Sequence, residues 1–349
     1  MKTLMVCSLA KNTGAYVRGK YLAKWLNKEK LNVNFMSTFK RMPYDLYYLF
    51  SFPHNLFRSF FNRCDVAISL KAFPNATFPV LLKKLFGAKA VLDIDDLDYG
   101  LRPGLSNIIK ILQEPFVRYF DLVMVHNPKL YKYVNKKLKV PKKKILQIEQ
   151  AVDIELFKKL DKVKTRKELG YSKDEKLIVY TAHISPAAFL EEIFMMFKEV
   201  SKDVNAKLVV VGSGPKLKEY KELAMNMNIK VDFTGYVEDI NNVVKYLNIA
   251  DACVVYYPET EANEYRCSMK LREYLAVGVP TVCNSFADLA RFDDYTYNFE
   301  TDNLKSFKRA MIEALAKPDG RELKGMKFIK NNMSWETVAK KIAERIKQC

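Results

Sequence analysis

Short apolar runs alternate with segments of helical spacing along the first half of the chain. The runs predict buried strands at Thr3–Ser8, Val33–Met36, Asp65–Ser69, Ala90–Ile94 and Leu122–Val125. Tyr16–Asn27 carries its apolar residues three and four positions apart, which predicts an amphipathic helix. This order of strands and helices predicts a parallel sheet covered by helices on both faces.

The same alternation restarts in the second half. It predicts strands at Leu177–Thr181, Lys207–Val211, Val231–Thr234, Ala252–Tyr256 and Pro280–Cys283. It predicts helices at Phe189–Val200, Lys216–Asn226, Ile240–Asn248, Met269–Ala276, Leu304–Ala316 and Trp335–Lys347. Two doubly wound α/β halves therefore meet near Gln150–Lys158. Ligands of such sheets bind at the carboxyl ends of strands, so a cleft between the halves is the expected site.

Composition agrees with two globular domains. The chain has 349 residues, of which 49% are hydrophobic and 28% charged. No apolar run reaches the roughly 18 residues that a membrane span needs. The six cysteines are scattered, none forms a Cys-x-x-Cys pair, and there are only three histidines. These counts argue against a zinc site or a disulfide framework, and they favour reduced thiols in a cytosol.

The positive charge is concentrated in the first half. Residues 1–150 hold 26 basic and 10 acidic residues, a net charge of +16 out of +18 for the chain. Such a field attracts an anionic membrane surface, a nucleic acid or an anionic substrate. The alternative is a solubility surface that has no partner.

The segment Tyr44–Arg63 bears on which partner the basic half binds. It is dense in Phe, Tyr and Leu, with Arg58 and Arg63 interspersed, and Leu56, Phe57, Phe60 and Phe61 recur at helical spacing. Aromatic residues beside basic ones suit a lipid headgroup layer, while a helix facing the core explains the pattern equally well. A second basic group, Lys136–Lys144, also favours membrane contact. Nucleic-acid binding is less favoured because no recognisable module for it is present.

Two segments carry the pattern of a nucleotide site. Leu208–Pro215 predicts a strand that ends in a Gly-x-Gly turn, where the backbone can approach an anion or simply pack tightly. Ser268–Pro280 predicts a helix that begins at Ser268 and carries Lys270 and Glu273 on one face. A carboxylate in this position can accept both hydroxyls of a ribose, while Ser268, Lys270 and free N–H groups can hold phosphate. The alternative is a surface Lys–Glu pair.

Together these segments resemble a known family. Val209–Pro215, Phe233–Val237, Ala250–Ala252 and Lys270–Pro280 follow one another as in retaining glycosyltransferases of the GT-B fold. The resemblance is to family 4 (group 1), which includes sucrose and glycogen synthases. It implies two Rossmann-like doubly wound domains facing a central cleft. The expected limits are 1–155 for an acceptor-binding domain, 156–330 for a nucleotide-sugar domain, and 331–349 for a helix that crosses back.

The resemblance implies roles for individual residues. Glu273 matches the Glu that binds the nucleotide ribose, and Gly235, Tyr236 and Val237 match the turn beside the nucleobase. Gly212 and Gly214 match the phosphate-side turn, and Gly14 matches a glycine of the first domain that faces the cleft. His183, Glu264 and Lys270 form the expected catalytic set. The expected donor-binding set also contains Ser268, Met269 and Arg266.

The chain departs from the family pattern at three positions. The first Glu of the family's pair falls on Tyr265, one residue from Glu264. The family's Arg and Lys after the first strand of the second domain are His183 and Ala188. Two cations that hold the diphosphate are therefore missing, for which Lys270, Arg266 and nearby N–H groups can compensate.

An acidic motif and two histidines are weaker candidates for function. Asp93-Ile94-Asp95-Asp96 resembles an Asp-x-Asp metal motif, but its place after a strand of the basic half favours acceptor binding or loop structure. His126 ends a strand and His54 lies in the aromatic segment, and a structural role is expected for both.

The expected activity is retaining transfer of a sugar from a UDP- or GDP-sugar to a hydroxyl acceptor, with no metal or other cofactor required. The acceptor is expected to be a lipid-linked or membrane-proximal glycan, for a cytoplasmic protein peripheral to the membrane. A catalytically degenerate binding protein on the same fold is the first alternative. A nucleic-acid-binding protein that uses the basic half is the second.

Overall fold

The computed structural model describes residues 1–11, 13–39, 44–97, 106–316 and 318–348, without the side chains of 44–46 and 106–109. They form two compact units, each with one parallel six-stranded sheet. The first unit contains Met1–Ala151, Tyr265–Cys267 and Met333–Cys349, and the second contains Val152–Glu264 and Ser268–Asn332. No described helix has the length and apolar character needed to span a bilayer.

The first unit is a doubly wound sheet with strand order β2-β1-β3-β4-β5-β6. Its strands are β1 (Thr3–Cys7), β2 (Val33–Met36), β3 (Val66–Leu70), β4 (Lys89–Ile94), β5 (Leu122–Val125) and β6 (Ile145–Gln147). Its helices include α1 (Gly14–Lys28), α2 (Tyr44–Phe61), α3 (Pro74–Leu85), α4 (Ser106–Val117) and α5 (Pro128–Lys132). Strands β1, β3 and β5 are buried at every position, which explains their uninterrupted apolar runs.

The second unit repeats this plan with strand order β12-β11-β10-β7-β8-β9. Its strands are β7 (Lys176–Thr181), β8 (Ala206–Val211), β9 (Val231–Gly235), β10 (Ala252–Val255), β11 (Thr281–Asn284) and β12 (Tyr297–Phe299). Its helices are α6 (Lys162–Leu169), α7 (Leu190–Val200), α8 (Leu217–Asn226), α9 (Ile240–Ile249), α10 (Glu261–Glu264), α11 (Met269–Val277), α12 (Leu304–Ala316) and α13 (Arg321–Asn332) among the described residues.

The last helix, α14 (Trp335–Gln348), belongs to the first unit. Its apolar face shares a buried cluster with α1, in which Trp335 and Ile342 join Leu22 and Leu26. The ring of Trp335 also stacks on Tyr21 with centroids 6.0 Å apart.

Two doubly wound α/β domains are confirmed, but one segment is assigned differently from the expected limits. Residues Tyr265–Cys267 pack with the first unit and not with the second. The reason is local, because the Asn127 side chain donates to the Tyr265 carbonyl at 2.8 Å and the Tyr265 ring packs edge-on against Tyr133. The central cleft remains a prediction.

The cysteines Cys7, Cys64, Cys253, Cys267 and Cys283 are free thiols. Cys349 lies outside the described residues, as do residues 40–43 just before α2 and Asn12.

Candidate functional site

The site in the second unit lies where the strand order reverses. The chain passes from β7 to β8 to β9 on one side, whereas β10 pairs with the other side of β7. The backbone N–H of Thr181, at the end of β7, donates to the Tyr274 hydroxyl at 2.8 Å. This bond holds α11 at the carboxyl end of β7, which is the ligand position of such sheets.

Glu273 and Lys270 lie on one face of α11, three residues apart. The Glu273 carboxylate is half-buried and, within the described part of the chain, accepts no hydrogen bond. Burial raises the pKa of Glu273 to about 7, against the opposing charge of Lys270. The Lys270 ammonium lies 3.9 Å from the centroid of the Tyr180 ring, a cation–π contact that restrains this side chain.

A buried ion pair anchors the beginning of α11. The Arg272 guanidinium binds the Asp288 carboxylate at 2.6 Å, and both side chains are at most 1% exposed. Asp288 also accepts from the Ser268 N–H at 3.2 Å. Burial pushes the pKa of Asp288 upward, but the charge of Arg272 outweighs it and holds that pKa below its usual range.

The phosphate contact expected of the Ser268 side chain does not fit its position. Its hydroxyl is fully buried and accepts from the Leu271 N–H at 3.2 Å, so it caps the helix. Met269, the first helical residue, is half-buried. The first-turn N–H groups of a helix have no acceptor within the helix, so these groups remain suited to an anion.

The Gly-x-Gly turn packs against the loop that leaves β7. A Cβ on Gly212 would overlap the carbonyl oxygen of Ala182, and one on Gly214 would overlap that of Ile184. Gly212 also has φ of +137°, which L side chains rarely adopt. Close packing of two backbones therefore accounts for both glycines, and their contact with phosphate stays a prediction.

His183 lies in this loop, exposed at the carboxyl edge of the sheet. Its neighbours on both sides bond to the Gly-x-Gly segment, since Ala182 N–H donates to Val211 at 3.0 Å and Ile184 N–H donates to Ser213 at 2.9 Å. The structure thus places His183 beside the turn expected to line the phosphate.

The turn after β9 is the most exposed part of the candidate site. Gly235 has φ of +72° with open space around it, Tyr236 is 70% exposed and Val237 is half-buried. A cavity of about 540 Å³ lies along β9, between Tyr171, Phe233 and Tyr246. Its lining contains none of the residues expected to bind the donor.

The first unit has a buried charged cluster at the carboxyl edge of its own sheet. Arg18 of α1 contacts Asp93, the residue before the end of β4, at 2.5 Å. His126 Nε2 lies 2.6 Å from the other oxygen of that carboxylate. All three side chains are at most 5% exposed. Burial raises the pKa of Asp93, but Arg18 and His126 outweigh it and hold this pKa below its usual range.

Lys71 and the two carboxylates that follow Asp93 in the chain extend this cluster. The Lys71 ammonium lies 2.9 Å from Asp95 and 3.7 Å from Asp96. Burial alone would raise the pKa of Asp95, but Arg18 and Lys71 hold it low. Burial and the charge of Asp95 instead raise the pKa of Asp96, which is half-buried at the rim. Arg18 and Lys71 therefore contact all three carboxylates that the sequence offered as a metal motif.

The remaining residues of the predicted site are divided between the two units. Gly14 is the exposed first residue of α1, with open space around its Cα. Arg266 belongs to the first unit, where its charge acts on Asp96. Glu264 ends α10 in the second unit and is half-buried. The structure thus brings Glu273 and Lys270 together, and it assigns Arg266 to the unit that does not hold them.

Sequence reasoning missed Tyr180, Arg272, Asp288 and Arg18. Each acts through a partner distant in the chain, so spacing alone could not reveal it. One signal was available for Arg18, a cation in the first turns of a helix that directly follows a buried strand.

Comparison with known proteins agrees with the fold and the motifs. Residues 161–335 match the family described as glycosyl transferases group 1. That match covers half of the chain, and the chain belongs to this family. It is a two-domain α/β protein of the GT-B class.

The individual proteins that match this chain have low sequence identity to it. The chain is 25% identical over 258 residues to N-acetyl-alpha-D-glucosaminyl L-malate synthase of Bacillus anthracis. That match covers 72% of this chain and 64% of the length of the relative. Sucrose-phosphate synthase from Thermosynechococcus elongatus superposes with a TM-score of 0.82 at 15% identity, covering 100% of this chain and 99% of the other. Anabaena Alr3699/HepE in complex with UDP gives 0.75 at 14% identity, with both chains fully covered.

Proposed function

We propose that this protein transfers a sugar, with retention, from a nucleotide-sugar to a hydroxyl acceptor. The main support is the Glu273 carboxylate at the switch point of the second sheet, half-buried and without a hydrogen bond among the described residues. A ribose with two hydroxyls offers donors to such a carboxylate. The match to the group 1 family and the UDP bound by a structural neighbour agree with this assignment.

The leaving diphosphate needs positive charge at the same place. Lys270 and the first-turn N–H groups of α11 supply it, and the exposed His183 lies beside the Gly-x-Gly turn. Such dipoles and cations stabilise the departing oxyanion, and the leaving phosphate can itself accept the proton of the attacking hydroxyl. This scheme needs neither a metal nor a protein nucleophile.

The acceptor belongs, in this proposal, to the basic first unit. Its half-buried Asp96 lies at the carboxyl edge of that sheet, where it can orient an acceptor hydroxyl. The net charge of +16 over residues 1–150 favours a lipid-linked or membrane-proximal acceptor and a cytoplasmic location peripheral to the membrane.

Thermal shifts with UDP, GDP, ADP and CMP test the donor site, because a ligand of the native state raises its Tm. One of these nucleotides should stabilise the protein. Glu273→Ala should abolish that response, whereas Glu238→Ala, at an exposed carboxylate of the same unit, should keep it. If none of the four raises the Tm, the proposed donor site is wrong.

A binding protein without catalysis is the second candidate, and it is favoured by Ala188 and Tyr265 at positions where the family has Lys and Glu. Assays of hydrolysis and transfer separate the transferase from the binding protein, with nucleotide-sugars of whichever nucleotide stabilises the protein as substrates. Stabilisation that depends on Glu273, without hydrolysis or transfer over a broad donor panel, would identify a binding protein.

A further inference from the structure

Helix α2 has the reverse of the usual orientation. Its inner face, at four-residue spacing, carries Tyr47 and then three fully buried polar residues, Ser51, Asn55 and Ser59. The opposite face carries large apolar side chains that are 50–68% exposed, namely Leu49, Phe50, Phe57, Phe60 and Phe61. A helix on a water-exposed surface normally turns its apolar side inward.

Specific hydrogen bonds hold the polar face inside. The Asn55 amide donates to the Asn75 carbonyl at 2.9 Å, and the Asn75 amide donates to Ser51 at 2.8 Å and to the Ser8 carbonyl at 2.8 Å. Rotating α2 to bury its phenylalanines would remove these partners and leave Asn75 buried without them. The outward orientation of the aromatic face is therefore built into the packing of α2 on α3.

The exposed apolar surface continues onto α3. Phe60 contacts Phe61 and Phe86 with ring centroids 5.4 and 6.0 Å apart, and Leu85 is 82% exposed. The Lys83 ammonium donates to the Phe60 carbonyl at 3.1 Å, which fixes the ends of the two helices together. Monomeric proteins rarely expose a contiguous aromatic patch of this kind without a partner.

A basic cavity of about 590 Å³ adjoins this patch at Gly87. Its lining contains five basic side chains, those of Lys84, Lys89, Lys143, Lys144 and Arg345, and one carboxylate, that of Asp121. Lys84 binds Asp121 at 2.5 Å, which balances that carboxylate. In the described part of the structure the ammonium groups of Lys89 and Lys143 contact no acceptor, so the cavity has an excess of positive charge suited to a phosphate.

We propose that the outer face of α2, the Leu85–Phe86 pair and the adjoining basic cavity form a docking surface for an anionic lipid bilayer, with a lipid phosphate in the cavity. Apolar side chains enter the headgroup layer while the cations neutralise phosphates, and neither contribution alone anchors a protein firmly. The charge of the cavity favours a bilayer over a second copy of this equally basic chain. This surface gives a structure to the peripheral location proposed above, but it does not depend on sugar transfer.

Cosedimentation of the full-length protein with vesicles tests the proposal. Binding to phosphatidylcholine vesicles containing phosphatidylglycerol should be strong, and binding to phosphatidylcholine alone should be weak. Phe57→Ser with Phe60→Ser should lower the partition coefficient about tenfold or more, because two exposed rings that would enter the headgroup layer are lost. Lys89→Gln with Lys143→Gln should lower it about fivefold per lysine at low salt.

Matched variants on the second unit serve as controls. Val163→Ser with Met225→Ser removes two side chains that are 67% and 70% exposed, and Lys324→Gln with Lys330→Gln removes two exposed charges. Both pairs should bind vesicles like the parent, and every variant should keep the parent Tm and nucleotide response. Equal vesicle binding by all variants would overturn the proposal. So would displacement of vesicles by single-stranded DNA at equal salt, or a dimer that the Phe variants dissociate without vesicle binding.

Discussion

Glu273→Gln provides the sharpest test of the donor site, because the same burial that prepares the carboxylate for a ribose should cost the folded protein stability. Glutamine keeps the shape and the hydrogen-bonding oxygen but removes the charge. We expect this variant to be more stable than the parent at alkaline pH and to lose its response to nucleotide.

The size of the effect follows from the pKa. Folding raises the pKa of Glu273 from 4.5 to about 7. This difference corresponds to about 3 kcal/mol of ionisation penalty at 1.36 kcal/mol for each pH unit. The side chain keeps part of its surface in solvent, which reduces the penalty to about 1–2 kcal/mol.

The sign follows from proton binding. Between pH 4.5 and about 7 the folded protein holds a proton on Glu273 that the unfolded chain has released. The contribution of this group to stability is therefore complete below pH 4.5, and it is lost as the pH rises through about 7. The parent should carry the whole penalty above about pH 8, where glutamine carries none.

Thermal unfolding at several pH values measures this difference. At pH 8.5 the Tm of Glu273→Gln should exceed that of the parent by about 3–6 °C, and at pH 5 the two should be nearly equal. Glu238→Gln changes the same charge at an exposed position and should follow the parent at every pH. A variant that is less stable than the parent at pH 8.5, or a gap that does not change with pH, would refute the reasoning.

Further substitutions test the packing of the Gly-x-Gly turn, of the Arg272–Asp288 pair and of the charged cluster around Asp93. Gly212→Ala should lower the free energy of unfolding by about 3 kcal/mol in urea titrations, whereas Gly235→Ala, with open space around it, should cost about 1 kcal/mol; equal losses would contradict the packing role of the Gly-x-Gly turn. Asp288→Asn should cost about 3 kcal/mol in the same assay and weaken nucleotide binding, because the buried Arg272 loses its partner; unchanged binding would show that this pair does not position α11. Arg18→Met should destabilise the protein by about 3–5 kcal/mol and leave the nucleotide response intact. Limited proteolysis should show cleavage of the first unit, which contains Arg18.

The central strands could be predicted because they are buried on both faces. Runs such as Leu122–Val125 need no knowledge of their neighbours, and the structure begins and ends that strand at the same residues. The strands β6 and β12 were missed because each has only three residues and gains its place by pairing at a sheet edge. Helix α13 was missed because few apolar residues mark it. Its Gly325 approaches Leu275 so closely that a Cβ would lie 2.9 Å from that side chain.

The candidate site likewise contains some residues that could be predicted from the sequence and others that could not. Glu273 and Lys270 could be predicted because the spacing within one helix fixes which residues share a face. The pair formed by Arg272 and Asp288 could not be, because sixteen residues separate the partners and only the folded chain brings them together. Ser268 shows the limit of a motif, since the same hydroxyl that could hold phosphate also suits the beginning of a helix.

Helix α2 shows why spacing alone leaves the role of a segment open. The recurrence of Leu56, Phe57, Phe60 and Phe61 establishes an apolar face, but a helix facing the core and a helix facing lipid share that pattern. The deciding feature is what the opposite face contacts. Because Asn55 and Ser51 find buried hydrogen-bonding partners on Asn75, the polar face is the one that packs inside and the phenylalanines must lie outside. The phase of a helix is thus set by specific polar contacts as well as by hydrophobic burial. Here those contacts leave an aromatic surface beside Lys89 and Lys143, whose ammonium groups contact no acceptor among the described residues.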